Sequence, residues 1–367
     1  MLDFPKGVAL TSPFGTLTLG PCISMYLKHY GLNRQPFNLS TDPDFLWTGE
    51  KHRAAMEALK EGILESWGFV LLTGEVGTGK TTLVNAFPRS NEIAAITVTI
   101  PDPDMDSLDF CNFLASEFGM KRKFASKEEF VHHFKGFLLR SFASYKKVLV
   151  IIDEAQRLNH VLLEEIRQLS AIELAGRRML KIYFVGQPEF CTMLMEEYNA
   201  AVRNEIVAAY NIEPLAAKET ERYVSHRLSV AGAKRTIFTP RAVAWIHAVT
   251  GGFPRTINVL CDHCLLRGFG TGVKVVDVNI VAVCSKALSL RPIAKSAENF
   301  VFPFPLRAPV SGGDLLAQQK PKTIHKSLGV AAVSLALILT SGYLVYHFGL
   351  YEHLLQTMQR MLAAFLP

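Results

Sequence analysis

Gly74-Glu75-Val76-Gly77-Thr78-Gly79-Lys80-Thr81 is the stretch that decides how this chain folds. It matches the pattern G-x-x-x-x-G-K-S/T, and its flanks supply the context that the pattern requires. Gly68 to Thr73 is a short apolar run entering the turn as a buried strand. A helix opens near Lys80 and is expected to end at Pro88, because proline breaks the helical hydrogen-bond ladder. Glycines let successive backbone N–H groups face a phosphate chain, and the helix N-terminus adds a positive dipole end. Lys80 is then placed to reach the β and γ phosphates, the Thr81 hydroxyl to ligate Mg²⁺, and Thr82 to complete the loop. The ligands implied are ATP and Mg²⁺.

A second acidic signal supports the first. Val148-Leu149-Val150-Ile151-Ile152 is a run of five apolar residues, as expected of a central parallel strand covered on both faces. It ends in Asp153 and Glu154. A carboxylate at the C-terminal edge of such a strand can hold the magnesium shell, and Glu154 can polarise an attacking water. Further strands are predicted at 94–100 and 182–185, with helices at about 51–66, 106–118, 127–144 and 159–174 from their apolar spacing. Alternating strand and helix predicts a doubly wound α/β domain with a parallel sheet and helices on both faces. Gln187 closes the last strand, either to position water or touch the γ phosphate, or as a turn-stabilising amide.

After Pro214 the pattern turns wholly helical, at 218–231, 240–249, 254–269 and 275–288, with Gly251-Gly252 and Thr239-Pro240 as boundaries. Arg255 opens the third of these helices. It either reaches back to the nucleotide and reports its presence through the helical unit, or is solvated. The expected organisation is an N-terminal extension 1–24, an α/β nucleotide-binding domain 25–212, a helical lid 213–288 and a linker 289–327. A membrane helix at 328–348 and a short tail at 349–367 follow. Translation from Met25 rather than Met1 is one hypothesis for the poorly patterned first 24 residues.

The net charge of +6 over 367 residues permits contact with nucleic acid or anionic lipid without demanding it. Six dispersed cysteines form no disulfide framework. Cys261-Asp262-His263-Cys264 lacks a second pair at zinc-ligand spacing, and on a helix its thiols share a face and pack. Leu328–Tyr346 is 19 residues without a charge, about 29 Å as a helix and close to the hydrocarbon thickness of a bilayer. Lys320, Lys322 and Lys326 precede it, whereas Arg360 is the only later basic residue apart from histidines. The positive-inside rule therefore places the large N-terminal part in the cytoplasm.

Together these motifs resemble AAA+ ATPases, and among them the ExeA or general secretion pathway protein A family. The resemblance runs from about Met25 to Ala287. It rests on Tyr30-Gly31-Leu32, Pro36-Phe37 and Asp42-Pro43, on Leu72 to Thr81, and on Ile152-Asp153-Glu154-Ala155-Gln156. Val185-Gly186-Gln187-Pro188-Glu189 and Gly251-Gly252-Phe253-Pro254-Arg255 complete it. It implies Walker A and Walker B motifs, sensor 1 at Gln187 and sensor 2 at Arg255. It also implies a cytoplasmic ATPase on one span of a bacterial inner membrane, self-association, and membrane-protein partners in envelope assembly. Secretins of type II secretion, pili and polysaccharide export are the machines such proteins assist.

Two departures stand out. Secretion members carry a peptidoglycan-binding domain after the span, where only about 20 residues remain here. Where relatives have Gln-Arg-Ile ahead of the lid, this chain has Asn204-Glu205-Ile206. An arginine finger is therefore either supplied by Arg203, if the chain is extended there, or absent, with Arg203 and Glu205 as solvated charges and slow hydrolysis. Two other functions compete with envelope assembly. One is a DNA-linked helper resembling transposition proteins, against which the membrane span and the lack of a basic stripe both weigh. The other is a regulatory switch that turns ATP over slowly.

Overall fold

The computed structural model describes residues 19–39, 42–64, 68–90, 95–174, 176–293 and 300–304. The membrane-span reading at 328–348 and the tail at 349–367 lie outside the described residues, as does most of the extension and of the linker. Among the described residues no helix is long and apolar enough to cross a membrane.

Helix α1 (Leu19–Tyr30) starts six residues before Met25, and α2 (Glu50–Leu64) follows a short irregular stretch. Then come β1 (Phe69–Thr73), α3 (Lys80–Ser90), β2 (Ala95–Ile100), α4 (Ser107–Glu117), α5 (Lys127–Ala143), β3 (Lys147–Ile152) and α6 (His160–Ser170). A two-stranded antiparallel hairpin, β4 (Glu173–Leu174) and β5 (Arg177–Arg178), leads into β6 (Leu180–Gly186). Helices α7 (Glu189–Met195) and α8 (Ala200–Asn204) precede β7 (Ile206–Asn211). The chain then turns helical as α9 (Ala217–Val230), α10 (Pro240–Thr250), α11 (Pro254–Gly270) and α12 (Val278–Ala287).

The main sheet has five strands in the order β2-β3-β6-β1-β7, with all four pairings parallel. Successive side chains of β1 point to opposite faces: Phe69 and Leu71 enter the core under α4, α5 and α6, whereas Val70 and Leu72 enter the core under α2 and α3. Burial on both faces explains the unbroken apolar runs of β1, β3 and β6.

Three elements depart from the sequence expectation. Pro88 does not end α3, which runs two residues further, to Ser90, with the proline inside it. The expected helix through 174 stops at Ser170, where the chain enters the β4–β5 hairpin. The fifth strand, β7, was not anticipated. It pairs only with β1, at the sheet edge, and five of its six residues are partly exposed, so it lacks the apolar run of a central strand.

The third core is helical and joins distant segments. Tyr26, Tyr30, Leu32, Phe37 and Phe45 pack with buried residues of α9 to α12, so the N-terminal segment shares the core of the helical unit. Cys261, Cys264 and Cys284 lie buried in this cluster. Conversely, Phe304 lies in the core beneath α4, α5 and α6, with Phe300 and Phe302 packed against it.

Candidate functional site

Because the strands are parallel, the C-terminal ends of β1, β3 and β6 lie along one edge, where open α/β sheets bind their ligands. Thr73 is in register with Gly186, and Ile152 with Phe184. The Gly74–Thr81 turn, the Asp153-Glu154 pair and Gln187 are thereby brought together from three separate strands.

In the turn, Gly77 and Gly79 take φ of +84° and +100°, conformations that side chains other than glycine rarely adopt. Thr78 is fully buried and its hydroxyl donates to the Glu75 carbonyl at 2.9 Å. The Lys80 ammonium folds back onto the Gly74 and Glu75 carbonyls at 2.6 and 3.0 Å. Burial lowers the pKa of Lys80, and the carboxylates of Glu154 and Asp153 oppose that shift. The Thr81 hydroxyl donates to Asp153 Oδ2 at 2.7 Å. Asp153 is 4% exposed; burial raises its pKa, against hydrogen bonds from Thr81 and from the Glu154 N–H at 3.0 Å. A threonine hydroxyl and a carboxylate at this separation, beside a glycine-rich turn opening a helix, fit the oxygen-ligand chemistry of Mg²⁺ bound to a polyphosphate.

Glu154 adopts left-handed backbone angles, φ 51° and ψ 40°, immediately after β3. Its carboxylate accepts from Gln156 Nε2 at 2.5 Å and from Gln187 Nε2 at 3.3 Å. Gln187 thus faces Glu154 rather than serving only as a turn amide.

Arg255 is brought to the turn by the helical unit. The Arg255 N–H, in the first turn of α11, donates to the Gly77 carbonyl at 3.2 Å. Thr250 ends α10, Gly251 caps it in the left-handed region, and Pro254 starts α11 at the position where a missing N–H does no harm. Leu215 N–H donates to the Gly252 carbonyl at 2.9 Å, tying this turn to the segment that leaves β7.

The cleft above these residues has a volume of about 360 Å³. One wall was not foreseen from the sequence. It comes from Asn38, Leu39, Phe45, Leu46, Trp47 and His52, with Tyr223, Arg227 and Asn258 packed beside them. Arg227 is 6% exposed and clamps the N-terminal segment: Nε donates to the Pro36 carbonyl at 2.5 Å, Nη2 to the Asn38 carbonyl at 2.9 Å and Nη1 to Tyr223 Oη at 3.0 Å. Its guanidinium also lies over the Phe45 ring, 4.9 Å from the centroid. The apolar Phe45-Leu46-Trp47 run was a visible signal, but nothing local tied it to Arg227. His52 is 5% exposed and packs edge-on to Trp47; burial lowers its pKa.

Arg203 and Glu205 are not solvated charges. Arg203 lies on α8, and its Nη1 donates to the Leu194 and Met195 carbonyls at 3.0 and 3.2 Å, satisfying the end of α7. Glu205, at the C-cap of α8, accepts from Arg167 at 3.1 Å and from Arg178 at 2.5 Å.

A profile described as an AAA domain matches residues 64–194. General secretion pathway protein A of Aeromonas hydrophila is 36% identical over 266 residues, which are 70% of this chain and 48% of that protein. The chain thus spans about half the length of this relative. Among solved structures, the ADP form of the Aeropyrum pernix ORC2 protein is similar, with a TM-score of 0.55 and 17% identity over 69% of this chain and 72% of that one. Drosophila ORC bound to DNA gives a TM-score of 0.54 and 15% identity, over 79% and 69% of the two chains. At such identities these likenesses show the fold alone.

Proposed function

We propose that this chain, which matches an AAA domain over residues 64–194 and is similar to general secretion pathway protein A, binds and hydrolyses MgATP as a membrane-anchored assembly ATPase. The observation that carries the ATPase reading is the 2.7 Å contact between the Thr81 hydroxyl and the buried Asp153 carboxylate, with Lys80 and Glu154 on the same sheet edge. The backbone of Gly74 to Thr82 and the Lys80 ammonium hold the phosphates, and Thr81 and Asp153 hold Mg²⁺. Bound there, the metal neutralises charge on the phosphate oxygens. Glu154 takes the proton of the attacking water and Gln187 orients it. Arg255 couples the helical unit to the phosphate loop through its N–H on the Gly77 carbonyl.

The uncharged stretch 328–346 supports a single span of a bacterial inner membrane with the ATPase part in the cytoplasm. Its relationship to a secretion-pathway protein supports self-association and partners among envelope-assembly proteins, with nucleic acid outside the reading. A slow regulatory switch remains the second reading. It is favoured by the engagement of Arg203 and Glu205 within the chain, which leaves neither of them reaching out to another subunit's phosphate.

The test is nucleotide binding and turnover of Lys80→Ala and Glu154→Gln. Lys80→Ala should bind weakly and hydrolyse nothing. Glu154→Gln should bind MgATP yet turn over about 100-fold more slowly, the usual scale for loss of a general base. Wild-type hydrolysis by either variant would overturn the assignment.

A further inference from the structure

Gln156 lies two residues beyond the acidic pair and was no part of the expected site. Its amide has two partners of opposite kind. Gln156 Oε1 accepts from the Gln187 backbone N–H at 3.0 Å, and Gln156 Nε2 donates to Glu154 Oε2 at 2.5 Å. A backbone N–H can only donate, so it determines which end of the amide is oxygen, and the nitrogen must then face the carboxylate. The side chain of Gln187 donates to the same Glu154 oxygen at 3.3 Å. Two amide donors on Oε2 leave Oε1 as the oxygen free to receive a proton.

The strand beside Gln156 leaves room for it. A Cβ added at Gly186 would lie 2.9 Å from Gln156 Oε1, whereas its next contacts, with Ala155, are ordinary at 3.4 Å. The end of β6 is therefore bare where the Gln156 amide crosses it.

We propose that Gln156 is a positioning residue for hydrolysis, locking the Glu154 carboxylate to the end of β6 so that Oε1 alone faces the attacking water. The proposal rests on Glu154 being the general base. Gln156 acts through Glu154 and touches neither nucleotide nor water. Its amide holds the carboxylate against rotation, tied at its other end to the Gln187 backbone N–H. The Glu154 backbone sits in the left-handed region, and among the described residues the other hydrogen bond on its carboxylate is the longer one from Gln187 at 3.3 Å.

The experiment measures kcat and KM for wild type, Gln156→Ala, Gly186→Ala, the double variant and Glu154→Gln, with binding of a fluorescent ATP analogue alongside. Gln156→Ala should lose about 10-fold or more in kcat, the scale of a hydrogen bond to a charged group, with KM changed less than about two-fold. Gly186→Ala keeps the amide but displaces it and should show the same signature. The double variant should be no worse than Gln156→Ala, because both changes act on one contact. If Gln156→Ala fails to fold, Gly186→Ala carries the test alone. A wild-type kcat, or a fall in kcat accompanied by an equal rise in KM or a loss of analogue binding, would overturn the proposal while leaving Glu154 as base. Full activity of Glu154→Gln would instead overturn the base assignment and this proposal with it.

Discussion

Gly251 and Gly252 offer the same chemical change one residue apart with different physical consequences. Both lie at positive φ, +61° and +80°, between α10 and α11. An added methyl at Gly251 would meet the Ile293 Cδ1 methyl at 2.6 Å, the far end of a flexible side chain that can rotate away. At Gly252 it would meet the Leu215 carbonyl oxygen at 2.0 Å, and the Leu215 carbonyl carbon and nitrogen at 3.0 and 3.1 Å. Backbone cannot rotate away, so the turn must move by about 1 Å to restore ordinary contact. Gly251→Ala should therefore cost about 1–2 kcal/mol, the left-handed penalty alone. Gly252→Ala adds loss of the hydrogen bond from Leu215 N–H, worth about 0.5–1.5 kcal/mol, and the residual clash. Its total should reach about 2–4 kcal/mol, or roughly 5–12 °C in melting temperature. The displaced turn also carries the Arg255 N–H off the Gly77 carbonyl, so stabilisation by MgATP should shrink in Gly252→Ala and persist in Gly251→Ala. Thermal denaturation with and without MgATP reads both effects. Equal melting temperatures and equal ligand shifts in the two variants would refute the claim that this turn docks the lid on the phosphate loop.

Two further outcomes are expected. Arg203→Ala removes the donor to two carbonyls at the end of α7 and should lower stability by about 1–3 kcal/mol, leaving specific ATPase activity low and flat across protein concentration. A steep concentration-dependent rise in wild type that the variant loses would instead make Arg203 a group acting across a subunit contact. His52 is buried with its pKa lowered below the ordinary 6.5, so below that pH the unfolded chain takes up a proton that the folded one refuses. Stability should be indifferent to His52 above about pH 7 and fall as pH drops through 6.5, by at most about 1.4 kcal/mol per pH unit from this residue. Urea titrations from pH 5 to 8 should show that part of the slope missing in His52→Leu; an unchanged slope would refute the assignment.

The sequence by itself determined what depends on neighbours along the chain. Gly74 to Thr81 needs only a strand before it and a helix after it, and Val148 to Ile152 is apolar because both faces of its strand are covered. Gly251 to Arg255 is a helix end followed directly by a helix start, each with its own local residue preference. Other features depend on residues far apart in sequence, and only the tertiary structure decided them. Arg227 reaches Pro36 across 191 positions and Gln187 reaches Gln156 across 31, separations over which no periodicity carries information. The wall around Trp47, the bond from Gln156 to the tip of β6 and the fates of Arg203 and Glu205 are of this kind. The edge strand β7 escaped notice because partial exposure blurs the apolar pattern that marks its neighbours. A polar side chain in a sequence advertises its chemistry but not its partner, and the partner exists only once the sheet has set three strand ends side by side.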